Sequence, residues 1–229
     1  MRWNTPLSDE HAIRLLERFE LLPGQAVLDL GCGSGELLIA AVAAVAAAGD
    51  GGCTGVGVDL DQQLLERGRL RAAERGLGGG RLTFVRDDAR AWRDPGDRVI
   101  SIGASHAWGG TEAALRGLAE VVPRGGRLLC GGGCWETAPS EAAATLFGTS
   151  VLPLAEVVRC AGATGWRVLW LSTADQREWD DFESSWRAGR HAWRSAHPDH
   201  PRRLRSSRSS RPNSPSTSRH TVASWDSAT

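Results

Sequence analysis

Asp29 stands two residues before a glycine-rich turn, Gly31-Cys32-Gly33-Ser34-Gly35. Glycine at such a turn lets backbone approach a ligand closely, and the helix that follows offers free N–H groups at its start. A dinucleotide fingerprint, G-x-G-x-x-G, needs its third glycine at position 36. Glu36 stands there, so the pattern is G-x-G-x-G. Further carboxylates follow at strand ends. Asp59 can accept both hydroxyls of a ribose, and Asp87 or Asp88, ahead of Ala89, can accept from an adenine amino group. A pyrophosphate would be repelled by Asp29, whereas an amino-acid ammonium would be attracted. Ser105-His106 follows a fourth apolar stretch, at the edge where an acceptor would sit. An unperturbed imidazole titrates near pH ~6.5, so His106 reads either as a general base or as part of an acceptor pocket.

The elements that must hold these residues alternate. Ser8-Asp9-Glu10 caps a helix that Pro23-Gly24 stops. Strands are expected at 26–30, 53–58, 82–85, 98–102, 127–130 and 166–171. Helices are expected at 36–48, around Leu64, Leu65 and Leu70, at 111–122, 141–146 and 154–163, and in a Trp-rich segment at 175–194. Strands alternating with helices imply an α/β fold with a mainly parallel, doubly wound sheet and helices on both faces. Trp108 and Trp135-Glu136, near strand ends, are further pocket candidates. Trp179, Trp186 and Trp193 recur every seven residues on one helical face, a stripe that reads as packing on the sheet or capping a pocket rather than pairing copies, although periodicity does not separate these readings.

Composition narrows the function. The chain has 229 residues, zero formal charge and 27 basic residues, all Arg, so no global field draws it to nucleic acid or membrane. Its longest apolar run, residues 37–48, is far short of the roughly 20 residues of a spanning helix. No leader segment is read at the start. The five Cys are odd in number and widely spaced, which reads as thiols in a reducing cytoplasm. Cys130 and Cys134 lack a second pair, so no metal site is expected.

Residues 27–36, Val-Leu-Asp-Leu-Gly-Cys-Gly-Ser-Gly-Glu, resemble the first motif of class I S-adenosylmethionine-dependent methyltransferases. Gly55-Val56-Gly57-Val58-Asp59 is similar to their second-strand motif, Val85-Arg86-Asp87-Asp88-Ala89 to their adenine segment, and Pro123-Arg124-Gly125-Gly126-Arg127-Leu128 to the turn before their fifth strand. The resemblance covers about residues 7–200. It implies a Rossmann-like sheet and S-adenosylmethionine as methyl donor. Asp29, Gly31, Cys32, Gly33, Ser34 and Gly35 would hold the methionine part, Asp59 and Leu60 the ribose, and Asp87 or Asp88 with Ala89 the adenine, with Ser105 nearby. The residues carry neither an amino-nucleobase motif, a Pro-Cys nucleophile, nor a magnesium-seating Asp after the fourth strand. The expectation is a metal-independent enzyme acting on a small molecule by in-line transfer. Competing readings are an NAD(P)-linked oxidoreductase and a catalytically silent cofactor-binding protein.

The tail breaks the pattern. Residues 201–229 hold six Arg against the single Asp226, and residues 202–219 hold almost nothing apolar. They read as a disordered Arg/Ser-rich tail beyond a domain of residues 1–200. This fold closes with an antiparallel strand, which is therefore expected to be missing or degraded, with residues 221–225 a poor substitute. One explanation is a changed reading frame after Pro201, because codons compatible with residues 220–229 encode Tyr-Arg-Gly-Val-Leu-Gly-Phe-Gly-Tyr in the shifted frame. The other is a genuine basic tail that touches RNA or an acidic partner.

Overall fold

The computed structural model describes residues 2–49, 52–147, 151–198, 200 and 218–227. In chain order the elements are α1 (Asp9–Phe19), β1 (Ala26–Leu30), α2 (Glu36–Ala47), β2 (Thr54–Asp59), α3 (Gln62–Glu74), β3 (Leu82–Arg86), β4 (Arg98–Ile102), α4 (Thr111–Ala119), β5 (Arg127–Trp135), α5 (Glu141–Phe147), β6 (Leu152–Pro153), α6 (Leu154–Ala163), β7 (Trp166–Thr173), α7 (Gln176–Ala196) and β8 (Ser218–Ser227). The sheet runs β3-β2-β1-β4-β5-β8-β7, with the short β6 paired to the end of β5. The expected doubly wound architecture is what the chain adopts.

Period-two alternation along the central strands explains the layering. Val27, Ile100 and Leu129 face a core built with Leu15 and Phe19 of α1, Leu38 and Val42 of α2 and Leu65 of α3. Their neighbours Leu28, Val99 and Leu128 face the opposite core, built with Leu115 and Leu118 of α4 and Cys160 of α6. Both faces are thus covered, and β1 pairs with β2 on one side and β4 on the other. Strand order reverses at that point, which opens a crevice beyond the carboxyl ends of β1 and β4. Among the described residues no helix is long and apolar enough to cross a membrane.

The closing strand corrects the expectation of a missing one. Residues 218–227 form β8, antiparallel to β5 from Arg127↔Asp226 to Trp135↔Ser218 and antiparallel to β7 from Trp166↔Ser227 to Thr173↔Thr221. Residues 218–227 are therefore not a disordered tail, and residues 201–217 lie outside the described ones. The physical reason is that ladder bonds are made by backbone. Two neighbouring strands each leave a row of N–H and C=O groups to satisfy, and a polar segment satisfies them as an apolar one would.

A polar joint fastens the first helix to the last elements. His11 is buried on α1; its Nδ1 lies 3.0 Å from Glu178 Oε1, and its Nε2 lies 2.6 Å from Ser172 Oγ of β7. Glu178 also accepts the Ser8 N–H at 2.8 Å and the Asp175 N–H at 3.1 Å, the latter closing a capping box at the start of α7. Burial works to raise the Glu178 carboxyl, but donors from Ser8, Asp175 and His11 outweigh it and hold the group below its ordinary value of 4.5.

Two outcomes are expected. Val222 pairs with Gly131 on one side and Ser172 on the other. Val222→Pro removes a ladder donor inside the sheet and should lower stability by about 3 kcal/mol or more, measured by urea unfolding. Glu178 binds its proton less readily when folded, so its contribution is present above pH 4.5 and is lost as pH falls below it. The acid limb of the stability–pH profile should be shallower in Glu178→Gln than in the parent chain.

Candidate functional site

The turn after β1 is set by backbone. The N–H groups of Gly31 and Cys32 donate to the Val58 carbonyl at 2.9 and 3.0 Å, which draws the turn toward the end of β2. Gly31 has φ +78, and a Cβ there would collide with that of Ala104, so only glycine suits the position. Gly35 has φ +65 and starts α2 without a side-chain cap. The first turn of α2 therefore keeps backbone donors for a ligand.

Asp59 is held at the same edge by two donors. Its Oδ2 accepts the Gly33 N–H at 2.8 Å and its Oδ1 accepts the Asp61 N–H at 2.9 Å. Each oxygen keeps a second acceptor site. Asp61 in turn caps α3 by accepting from the N–H groups of Gln63 and Leu64.

These residues enclose a cavity of about 540 Å³ at the crevice between β1 and β4. Of the residues singled out in the sequence, Asp29, Gly31, Cys32, Gly33, Ser34, Asp59, Leu60, Asp88, Ala89 and His106 line it. Gly35, Asp87 and Ser105 do not line it, although each adjoins a residue that does. Between the two adjacent carboxylates, Asp88 faces the cavity, while Asp87 accepts the Asp88 N–H at 2.7 Å. His106 sits in a single 3₁₀ turn, Ser105–Trp108, after β4, exposed, with its ring in no hydrogen bond among the described residues. Trp108 and Trp135 do not line this cavity: Trp108 packs against the core beneath α4, and Trp135 is buried at the end of β5.

Burial gives Asp29 its character. Its carboxyl is 4% exposed and is pushed up to about 8, first by desolvation and then by the neighbouring Asp59. Cys32 beside it is driven upward by burial and by both carboxylates, so it stays a neutral thiol that donates weakly to the Gly33 carbonyl. Burial likewise pushes Cys130 up to about 12, leaving it inert.

Sequence reasoning missed the front wall. Arg2, Trp3, Asn4 and Thr5 line the cavity, and Thr5 Oγ1 is buried with no hydrogen-bond partner among the described residues. Trp3 and Leu7 anchor this strap in the core, and Trp3 Nε1 donates to Asp9 Oδ1 at 2.8 Å. Buried Glu36 was noted only as a missing glycine. It is held by Arg71, by Arg75 at 3.3 Å and by Arg2 at 3.6 Å, so its charge is compensated. The fourfold spacing of Arg67, Arg71 and Arg75 on α3 was the one available signal.

Comparison with known proteins agrees with this geometry. Residues 27–126 match a family described as a methyltransferase domain. The chain is 31% identical over 205 residues to the uncharacterized protein YjhP of Escherichia coli, covering 86% of this chain and 80% of that one. A SAM-dependent methyltransferase of Geobacter sulfurreducens, solved with S-adenosyl-L-homocysteine, superposes with a TM-score of 0.86 at 29% identity, covering 98% of this chain and 93% of that one. One from Thiobacillus denitrificans, solved with the same compound, gives 0.85 at 28%, covering 99% and 94%. The chain belongs to the class I S-adenosylmethionine-dependent methyltransferases.

Asp29 yields a direct test without ligand. Its folded-state value lies above its ordinary 3.8, so the folded chain keeps a proton that the unfolded chain releases. That contribution is complete below pH 3.8 and is lost as pH rises through about 8. Asp29→Asn should therefore match the parent chain near pH 4 and melt about 4 °C or more above it at pH 8, since each kcal/mol moves a domain of this size by about 2–4 °C.

Proposed function

We propose that this protein transfers the methyl group of S-adenosylmethionine to a small-molecule acceptor, with no metal ion in the step. S-adenosylmethionine, when bound, supplies an electrophilic methyl group on its sulfonium. The chain's own part is to bind, orient and exclude water, which suffices for an acceptor that is already nucleophilic. The observation that carries the reading is the pair of carboxylates at the cavity edge: Asp59 fixed between two N–H donors, and Asp29 buried with no cationic side chain against it among the described residues.

In this reading the Asp59 oxygens accept the ribose hydroxyls through their remaining sites, beside Leu60. Asp88 and Ala89, with Asp87 behind them, receive the adenine. Residues 31–35 lay their backbone against the methionine part, the first turn of α2 supplies the N–H donors, and Asp29 meets its ammonium group. A protonated Asp29 gains from surrendering its proton once that cation arrives. Ser105 and His106 stand on the acceptor side, where the turn after β4, residues 103–110, carries no Asp to seat a metal. His106 lines the acceptor pocket, and its free ring is available to take a proton from an acceptor that carries one. Thr5 Oγ1 is a further polar atom for either compound. The domain so defined spans residues 1–200 together with β8. Its place is the cytoplasm, which suits five cysteines that all stand outside disulfides.

S-adenosylhomocysteine tests the donor site. At about 100 times its dissociation constant it should add roughly 2.7 kcal/mol of stability. This gain should vanish in Asp59→Ala and persist in His106→Ala, on the acceptor side. Calorimetry at pH 7 in buffers of different ionisation enthalpy should show proton release on binding that Asp29→Asn abolishes. Retention of the full stabilisation in Asp59→Ala would overturn the assignment.

A further inference from the structure

We propose that α7 is a self-association surface, on which a second copy of this chain lays its own α7 antiparallel. The helix contains no buried residue, although Trp179, Phe182, Trp186 and Trp193 share one face. Trp186 and Trp193 each remain 37% exposed, even with Arg190 stacked 4.5 Å over the Trp186 ring and His197 stacked 4.8 Å from that of Trp193. Large exposed aromatic rings aligned along one helix mark a place where another surface seats.

Their spacing states what the partner looks like. Taking Trp179, Trp186 and Trp193 as the a positions of a heptad puts Phe182, Gly189 and Ala196 at d. In an antiparallel pair the a residues of one helix face the d residues of the other. One register aligns the helices over their full length, and it sets Trp179 opposite Ala196, Phe182 opposite Trp193, and Trp186 opposite Gly189 of the second copy. Each layer containing Trp179 or Trp186 then combines a large ring with a small residue. A helix of 21 residues spans about 30 Å, enough for three such layers on each side of the two-fold axis.

Gly189 supports this independently. Glycine is disfavoured inside a helix, and a Cβ at Gly189 would meet nothing within 4 Å. Nothing among the described residues therefore requires glycine there. A Trp186 ring arriving from a second copy does require it.

Charge selects the direction. The first half of α7 carries Arg177 against Asp180, Asp181 and Glu183, with Glu178 already held by His11, and the second half carries Arg187, Arg190 and Arg194. An antiparallel pair lays acidic on basic and brings Glu183 alongside Arg190 of the second copy, whereas a parallel pair stacks like charges.

The test is sedimentation equilibrium of the full chain at tens of micromolar. A mass of two chains is expected, falling to one in Gly189→Phe, while far-UV circular dichroism and the stabilisation by S-adenosylhomocysteine stay unchanged. Glu183→Arg should weaken association at least tenfold, and Glu183→Arg with Arg190→Glu on the same chain should restore it. If Gly189→Phe loses its cooperative transition, the charge exchange decides. A mass of one chain throughout, a dimer indifferent to Gly189→Phe in a folded protein, or a double charge variant that fails to recover would each overturn the proposal.

Discussion

Two backbone N–H groups, those of Gly31 and Cys32, converge on the carbonyl oxygen of Val58, and the position of the functional loop follows from that convergence. Parallel pairing sets Leu30 beside Val58, so the turn after β1 continues the ladder instead of leaving the sheet. Once the turn is drawn toward β2, the Gly33 N–H falls within 2.8 Å of Asp59, and the start of α2 is left facing the crevice. The loop, the carboxylate and the helix start are thus consequences of one pairing. That pairing is stable because both faces of the strands are buried.

Charge around the cavity is handled in two ways. Glu36 is surrounded by guanidinium groups from α3 and the strap before α1. Asp29 has no such partner among the described residues and holds its proton instead, which is the lower-energy course for a carboxyl removed from water. The difference matters for binding. A compensated group is part of the wall, whereas an uncompensated one is poised to respond to a cation that enters.

The loop and the strand-end carboxylates were legible in the sequence because each is local: glycine spacing, a run of Val and Leu, an acid at its end. The central strands were legible by alternation. What escaped depends on residues distant in the chain. His11 meets Glu178 across 167 positions, and nothing near either residue announces it. The strap of residues 2–7 joins the cavity wall because Trp3 and Leu7 find the core, which no periodicity encodes. β8 was misjudged because its side-chain pattern is poor, while the constraint that shapes it lies in the open edges of β5 and β7. Asp87 and Asp88 looked equivalent until the strand's pleat and an Asx turn at Arg90 turned one toward the cavity.

β8 has a consequence for synthesis. It enters between two strands that are both made before it, and its pairs span up to about a hundred residues of chain. A ribosome therefore releases β5 and β7 as neighbours that cannot yet bond, each exposing an unpaired edge. Contacts of such long sequence separation form slowly, and open edges invite the wrong strand, from the same chain or another. The rate at which residues 218–227 reach their slot sets how long the nascent protein depends on dilution or on a chaperone.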